Sequence, residues 1–132
     1  MTTKKIWANF SVQDAERTRQ FYTQLGVTAN GTNNYPKLAS FRFGDDGFVI
    51  HFFEQGSQID EYLAAGPLTA SEIIFTLSAD TEEEVKEWAE KARNAGGRVF
   101  REAGRDEAGY YGCAFADPDG HRFNVLLMEK GM

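Results

Sequence analysis

A single cysteine, Cys113, excludes an internal disulfide and a zinc site built on paired thiols, and the expected compartment is therefore a reducing one, the cytoplasm. No run approaches the roughly 18 apolar residues of a membrane span. The opening stretch MTTKKIWANFSVQD also lacks the apolar core of a signal peptide. Basic residues are too few for a polyanion partner: 14 Lys and Arg stand against 20 Asp and Glu, a net charge of -6, which sets the field against nucleic acid and anionic membranes. What the chain does have is apolar material, with 42% hydrophobic and 14% aromatic residues in 132, enough to bury the core of one domain.

The periodicity of that material changes along the chain. KKIWANFSV alternates, as a half-buried strand does, with Ile6, Ala8, Phe10 and Val12 on one side and Trp7, Asn9 and Ser11 on the other. DAERTRQFYTQLG then puts Thr18, Phe21, Tyr22 and Leu25 on one helical face, with Asp14 to cap its start and Gly26 its end. A Gly/Asn/Thr loop follows, with a short strand expected near Val27 to Ala29. Two strand candidates, LASFRF and FVIHFFE, are joined by the turn GDDG. The plan then recurs. SEIIFTLS alternates; DTEEEVKEWAEKARNAGG opens on a Thr81 to Glu84 capping box and lines up Val85, Trp88, Ala89 and Ala92; RVFRE, YYGCAFA and RFNVLLM follow, the last after the turn DPDG. Overlaying the halves places Trp7 on Glu72, Asp46-Gly47 on Asp119-Gly120, and His51 on Asn124. QGSQIDEYLAAGP between them reads as a linker with a short helix ended by Gly66 and Pro67.

Strand parity separates two kinds of face. Phe10 and Val12, Phe48, Ile50 and Phe52, Ile73, Phe75 and Leu77, and Phe123, Val125 and Leu127 form uniformly apolar sets that belong against helices. The opposite faces mix large apolar groups with a few polar ones: Trp7, Asn9 and Ser11; Val49, His51 and Phe53; Glu72, Ile74 and Thr76; Arg122, Asn124 and Leu126. Such a mixture suits a ligand cleft better than an open wet surface. Cys113 reads as a small buried hydrophobe, and His121, directly after Gly120 in a turn, is expected to be solvated.

FSVQDAERTRQFYTQLG in the first half, with NAGG and AFADPDGHRFNVLL in the second, resembles the vicinal oxygen chelate superfamily, which includes glyoxalase I, fosfomycin and bleomycin resistance proteins, and extradiol dioxygenases. The resemblance implies an α+β fold in which two βαβββ modules, about 1–56 and 69–132, joined by a helical linker at about 57–68, form a curled mixed sheet around a cleft. It further implies a small-molecule ligand and a homodimer. Glyoxalase I-like members draw one metal ligand from each of four strands. The matching motifs put these positions at Trp7, His51, Glu72 and Asn124, so that Asn124 occupies a modified ligand position.

Trp7 has no lone pair for an ion and the amide of Asn124 is a weak donor, which leaves His51 and Glu72 as the strong candidates. No cofactor beyond a weakly held divalent metal on those two is implied. One expectation is accordingly a lyase- or dioxygenase-like catalyst working through His51 and Glu72, the carboxylate raising the pKa of the imidazole. The other is a metal-free sequestering protein, similar to bleomycin resistance proteins, that binds its guest with Trp7, Asn9, Phe53 and Asn124.

Overall fold

The computed structural model of the protein describes residues 1–63 and 72–129. The fold is α+β and the chain divides into two compact units, Met1–Leu68 and Thr69–Met132. Gly66 and Pro67, expected to end the linker helix, lie outside the described residues.

In the first unit β1 (Ala8–Val12), β2 (Thr28–Ala29), β3 (Leu38–Phe43) and β4 (Phe48–Glu54) form a mixed sheet in the order β1-β4-β3-β2. β1 runs parallel to β4, while β3 and β4 form the antiparallel hairpin expected around GDDG. Helix α1 (Ala15–Leu25) covers one face, and a short α2 (Ile59–Leu63) follows β4.

The ends of α1 are set by chemistry legible in the sequence. Asp14 accepts the first free amides, those of Glu16 and Arg17, on Oδ1 at 3.0 and 3.2 Å. Gly26 terminates the helix in the left-handed region at φ 93°, where a side chain would be strained. A further amide of the first turn, that of Ala15, is taken by Glu54 Oε1 at 3.0 Å, which fastens the helix start to the end of β4. The buried face is the one expected, Thr18, Phe21, Tyr22 and Leu25, and it packs on β3 and β4, with Tyr22 against Phe41 and Phe52. Tyr22 stacks on Phe52 with ring centroids 4.6 Å apart.

β1 is shorter than its alternation suggests. Its ladder to β4 begins at the pair Ala8 and Ile50, so Ile6 and Trp7 precede the strand and are 77% and 52% exposed. Trp7 would face Val49, next to the turn at Gly47, where pairing has stopped.

The second unit repeats the plan with β5 (Ile74–Ala79), α3 (Glu82–Asn94), β6 (Arg98–Arg105), β7 (Tyr111–Ala116) and β8 (Arg122–Leu127), in the order β5-β8-β7-β6. β5 is parallel to β8 and the other pairs are antiparallel. Neither four-stranded sheet closes into a barrel. The capping box forms with one shift: Thr81 Oγ1 accepts the Glu84 amide at 3.1 Å, and the Glu84 carboxylate takes the amide of Asp80 rather than that of Thr81. Val85, Ala89 and Ala92 are buried and Trp88 is half-buried, stacking on Phe115, which stacks in turn on Phe123 at 5.4 Å.

Three local expectations change. Ile73 was assigned to the helix-facing set, but it precedes β5 and is 51% exposed. His121 is buried, not solvated: its amide and that of Asp119 both converge on Asp117 Oδ1, at 2.9 and 3.0 Å, which folds the DPDG turn inward. Strand β6 runs past RVFRE to Arg105 and carries two irregularities, one between Val99 and Arg101 and one between Arg101 and Gly104. Cys113 is buried as expected.

Candidate functional site

In the first unit the mixed face centres on His51, in the middle of β4. Asn9 on β1 and Ser40 on β3 are its cross-strand neighbours, and Phe53 meets the imidazole edge-on at 5.8 Å. Ser40 was not read from the sequence as a site residue, yet it is the polar partner of His51. Its Oγ lies 2.9 Å from His51 Nδ1 and accepts Asn30 Nδ2 at 3.0 Å. The hydroxyl oxygen has two lone pairs, so while it accepts from Asn30 it can either donate to Nδ1 or accept from it. Burial pushes the His51 pKa below its ordinary value of 6.5, which favours the neutral ring at pH 7. The bond at Nδ1 fixes the plane of the imidazole whichever nitrogen carries its single proton.

The serine is itself held. Asn33, buried and at φ 53°, accepts the Ser40 amide on Oδ1 at 2.7 Å. Arg19 of α1 donates to the carbonyls of Tyr35 and Leu38 at 2.6 and 2.8 Å, which pins the loop between β2 and β3.

In the second unit the mixed face is concave and forms a cavity of about 380 Å³. Ile74, Phe100, Tyr110 and Leu126 supply its apolar wall, and Thr76, Arg101, Asp106 and Asn124 its polar groups. Phe100 and Arg101 are consecutive, and in a regular strand they would face opposite ways. The irregularity between Val99 and Arg101 inserts Phe100 as an extra residue opposite β7, and both line the cavity. Asn124 sits opposite Thr76 in the β5–β8 ladder and accepts the Thr76 hydroxyl on Oδ1 at 2.6 Å.

Each central polar residue is thus tied to a hydroxyl on the neighbouring strand, His51 to Ser40 and Asn124 to Thr76. The strand registers also correct the overlay of the two halves. Asn9 faces His51 and Thr76 faces Asn124, so the residue two positions earlier, Trp7 in the first unit, corresponds to Ile74 in the second. Glu72 lies two residues before β5, is exposed, and is not among the residues lining the cavity, whereas Ile74 is. The pairing fixes this by position, and the sequence overlay was two residues out.

A divalent ion of the kind the resemblance implies needs lone pairs aimed into the site, and these residues do not fit one. Trp7 and Ile74 have none to give, and the amide oxygen of Asn124, a weak neutral donor, is turned to the Thr76 hydroxyl. Among the described residues no three His, Cys, Asp or Glu side chains gather as a metal group would. His51 belongs to the first unit and Glu72 to the second.

Two four-stranded mixed sheets, each built from a strand, a helix and three strands, with a polar residue central on the mixed face, define a class of proteins made of two βαβββ units. The family model described as the Glyoxalase/Bleomycin resistance protein/Dioxygenase superfamily matches residues 6–125, and the chain belongs to that superfamily. Hypothetical protein SA1046 from S. aureus is 31% identical in sequence with a TM-score of 0.83, over 97% of this chain and 96% of that one. A glyoxalase-related enzyme from Fulvimarina pelagi has 21% identity and a TM-score of 0.78, covering 96% of this chain and 89% of its own. A family enzyme from Burkholderia phytofirmans PsJN has 17% identity and the same TM-score of 0.78, covering 96% and 100%. The last two show likeness of fold alone. No curated protein matches the chain. Among the described residues no helix is long and apolar enough to cross a membrane.

Proposed function

We propose that this chain is a metal-independent small-molecule binding member of the superfamily, in the manner of a sequestering protein, with the cavity of the second unit as its binding site. The observation that carries this reading is the make-up of the strand positions: Trp7 and Ile74 have no lone pair for an ion, while Asn124 turns its oxygen to Thr76 and lines a largely apolar cavity, which suits recognition of a guest better than coordination of an ion. The cavity has the usual make-up of a ligand site, a mostly apolar wall with few polar groups, and at about 380 Å³ it holds a molecule of one or two rings. Lyase or dioxygenase chemistry through His51 and Glu72 receives less support, because Glu72 stands outside the β5–β8 ladder and is not among the residues that line the cavity.

Two measurements on protein purified without chelator test the proposal. Elemental analysis is expected to find Zn, Ni, Mn and Fe far below one per chain. A screen of planar fragments well above their dissociation constants is expected to raise the melting temperature equally with and without EDTA. Near-stoichiometric metal, or stabilisation that EDTA abolishes, refutes it.

A further inference from the structure

We infer that the guest of the second-unit cavity is a planar aromatic carboxylate, taken up through its acceptor oxygens by Asn124, and that Thr76 is the residue that sets Asn124 to receive it. This rests on the small-molecule reading and names the ligand class for the same site.

The argument begins with the amide. An asparagine side chain offers an acceptor on one end and two donors on the other, and a ligand meets whichever end is free. Thr76 Oγ1 donates to Asn124 Oδ1 at 2.6 Å, so the acceptor end of the amide is turned to Thr76 and the Nδ2 end, with its two N–H donors, is left for the cavity. Nδ2 has no hydrogen-bond partner among the described residues. The hydroxyl proton of Thr76 is spent on the same bond.

Charge points the same way. Arg101 lines the cavity, and the ring of Phe100, also in the lining, carries two further guanidiniums, Arg98 at 5.3 Å and Arg122 at 5.1 Å from its centroid. Within the lining one cation, Arg101, stands with one carboxylate, Asp106, whose Oδ1 already accepts the Tyr110 amide at 2.9 Å, and Arg98 and Arg122 add positive charge beside Phe100 without lining the cavity. The chain as a whole is acidic, at -6, but the charge gathered around Phe100 is positive. The rings of Phe100 and Tyr110 facing Ile74 and Leu126 set the remaining requirement, a flat apolar body.

The test uses the full chain, labelled with 15N, and three probes of one size: benzoate, benzamidine and benzyl alcohol. Benzoate is expected to shift the amide signals of the cavity residues and the side-chain NH2 pair of Asn124, and to bind more tightly than the other two. Asn124→Asp replaces the donors by a second anion and is expected to weaken benzoate about tenfold or more, the worth of one charge-assisted hydrogen bond. Thr76→Val frees the amide to turn and is expected to weaken benzoate, while Thr76→Ser restores it. That rescue separates positioning from a general loss of structure.

Preference for benzamidine or benzyl alcohol, or benzoate affinity unchanged in Asn124→Asp, overturns the ligand class and leaves the small-molecule reading standing. If none of the three probes moves a cavity signal, both fall.

Discussion

Ser40 Oγ and His51 Nδ1 lie 2.9 Å apart across the β3–β4 hairpin, with Asn30 supplying the second hydrogen bond to the same oxygen. Amide, hydroxyl and imidazole are thus linked in one chain of hydrogen bonds. A single bonded partner at Nδ1 is expected to hold the ring in one tautomer, which a long-range 1H–15N spectrum of the histidines reads directly. Ser40→Ala removes that partner and is expected to cost about 1–2 kcal/mol of stability, because buried polar partners lose their bond, and to leave a mixed tautomer signal. An unchanged spectrum in that variant shows that Ser40 does not set the ring.

Burial also gives His51 a signature in stability against pH. Its folded pKa lies below the ordinary 6.5, so between the two values the unfolded chain binds more protons than the folded one. The contribution is complete above pH 6.5, declines as the pH falls from 6.5 toward the folded value, and is flat below that. Urea midpoints between pH 7.5 and 5 should fall, and should fall less in His51→Gln. Equal slopes in the two proteins mean that the imidazole titrates alike in both states.

Cys113 is expected to be inert while the protein is folded. Its thiol is buried against α3, with Sγ 3.6 Å from the Val85 carbonyl, and burial pushes its pKa up to about 11. At pH 8 almost none is thiolate, the reactive form. Iodoacetamide should label the native chain at a negligible rate and the urea-unfolded chain readily, as followed by intact mass. Fast labelling of native protein contradicts this burial.

Gly112 on β7 has no room for a side chain. A Cβ there would stand 2.4 Å from the Val125 carbonyl oxygen on β8, backbone against backbone, with no flexible side chain to give way. Gly112→Ala is expected to destabilise the fold by about 1–3 kcal/mol, as overpacking does, measured by urea unfolding. Ala114→Gly on the same strand makes no such clash, and a Gly112→Ala loss no larger than that of Ala114→Gly removes the steric argument.

Much of the fold was legible because local signals agreed with the final structure. Asp14 and Gly26 mark the ends of α1, the Thr81 to Glu84 pair opens α3, and period-two parity gives the buried faces of β4 and β8. Even the Ser40 to His51 contact was within reach. The GDDG turn pairs Phe43 with Phe48, and counting three residues back and three forward arrives at these two. The Thr76 to Asn124 contact was not, since a parallel pair has no connecting turn to count from and its register is fixed only by long-range packing. The same gap in information misplaced Glu72 for Ile74. Phe100 and Arg101 were missed for another reason: a bulge breaks the alternation on which a parity reading depends.

The parallel pairing of the first and last strand in each unit also bears on synthesis. As the chain emerges from the ribosome, Ala8–Val12 has no sheet neighbour until Ile50–Glu54 has been made, since β4 alone pairs with it. The same delay recurs for Ile74–Ala79, which waits for Arg122–Leu127, the last strand to appear. A nascent chain halted just short of Arg122 would therefore hold a complete first sheet and an orphaned β5, and chaperones that survey half-made proteins would find their exposed edge there.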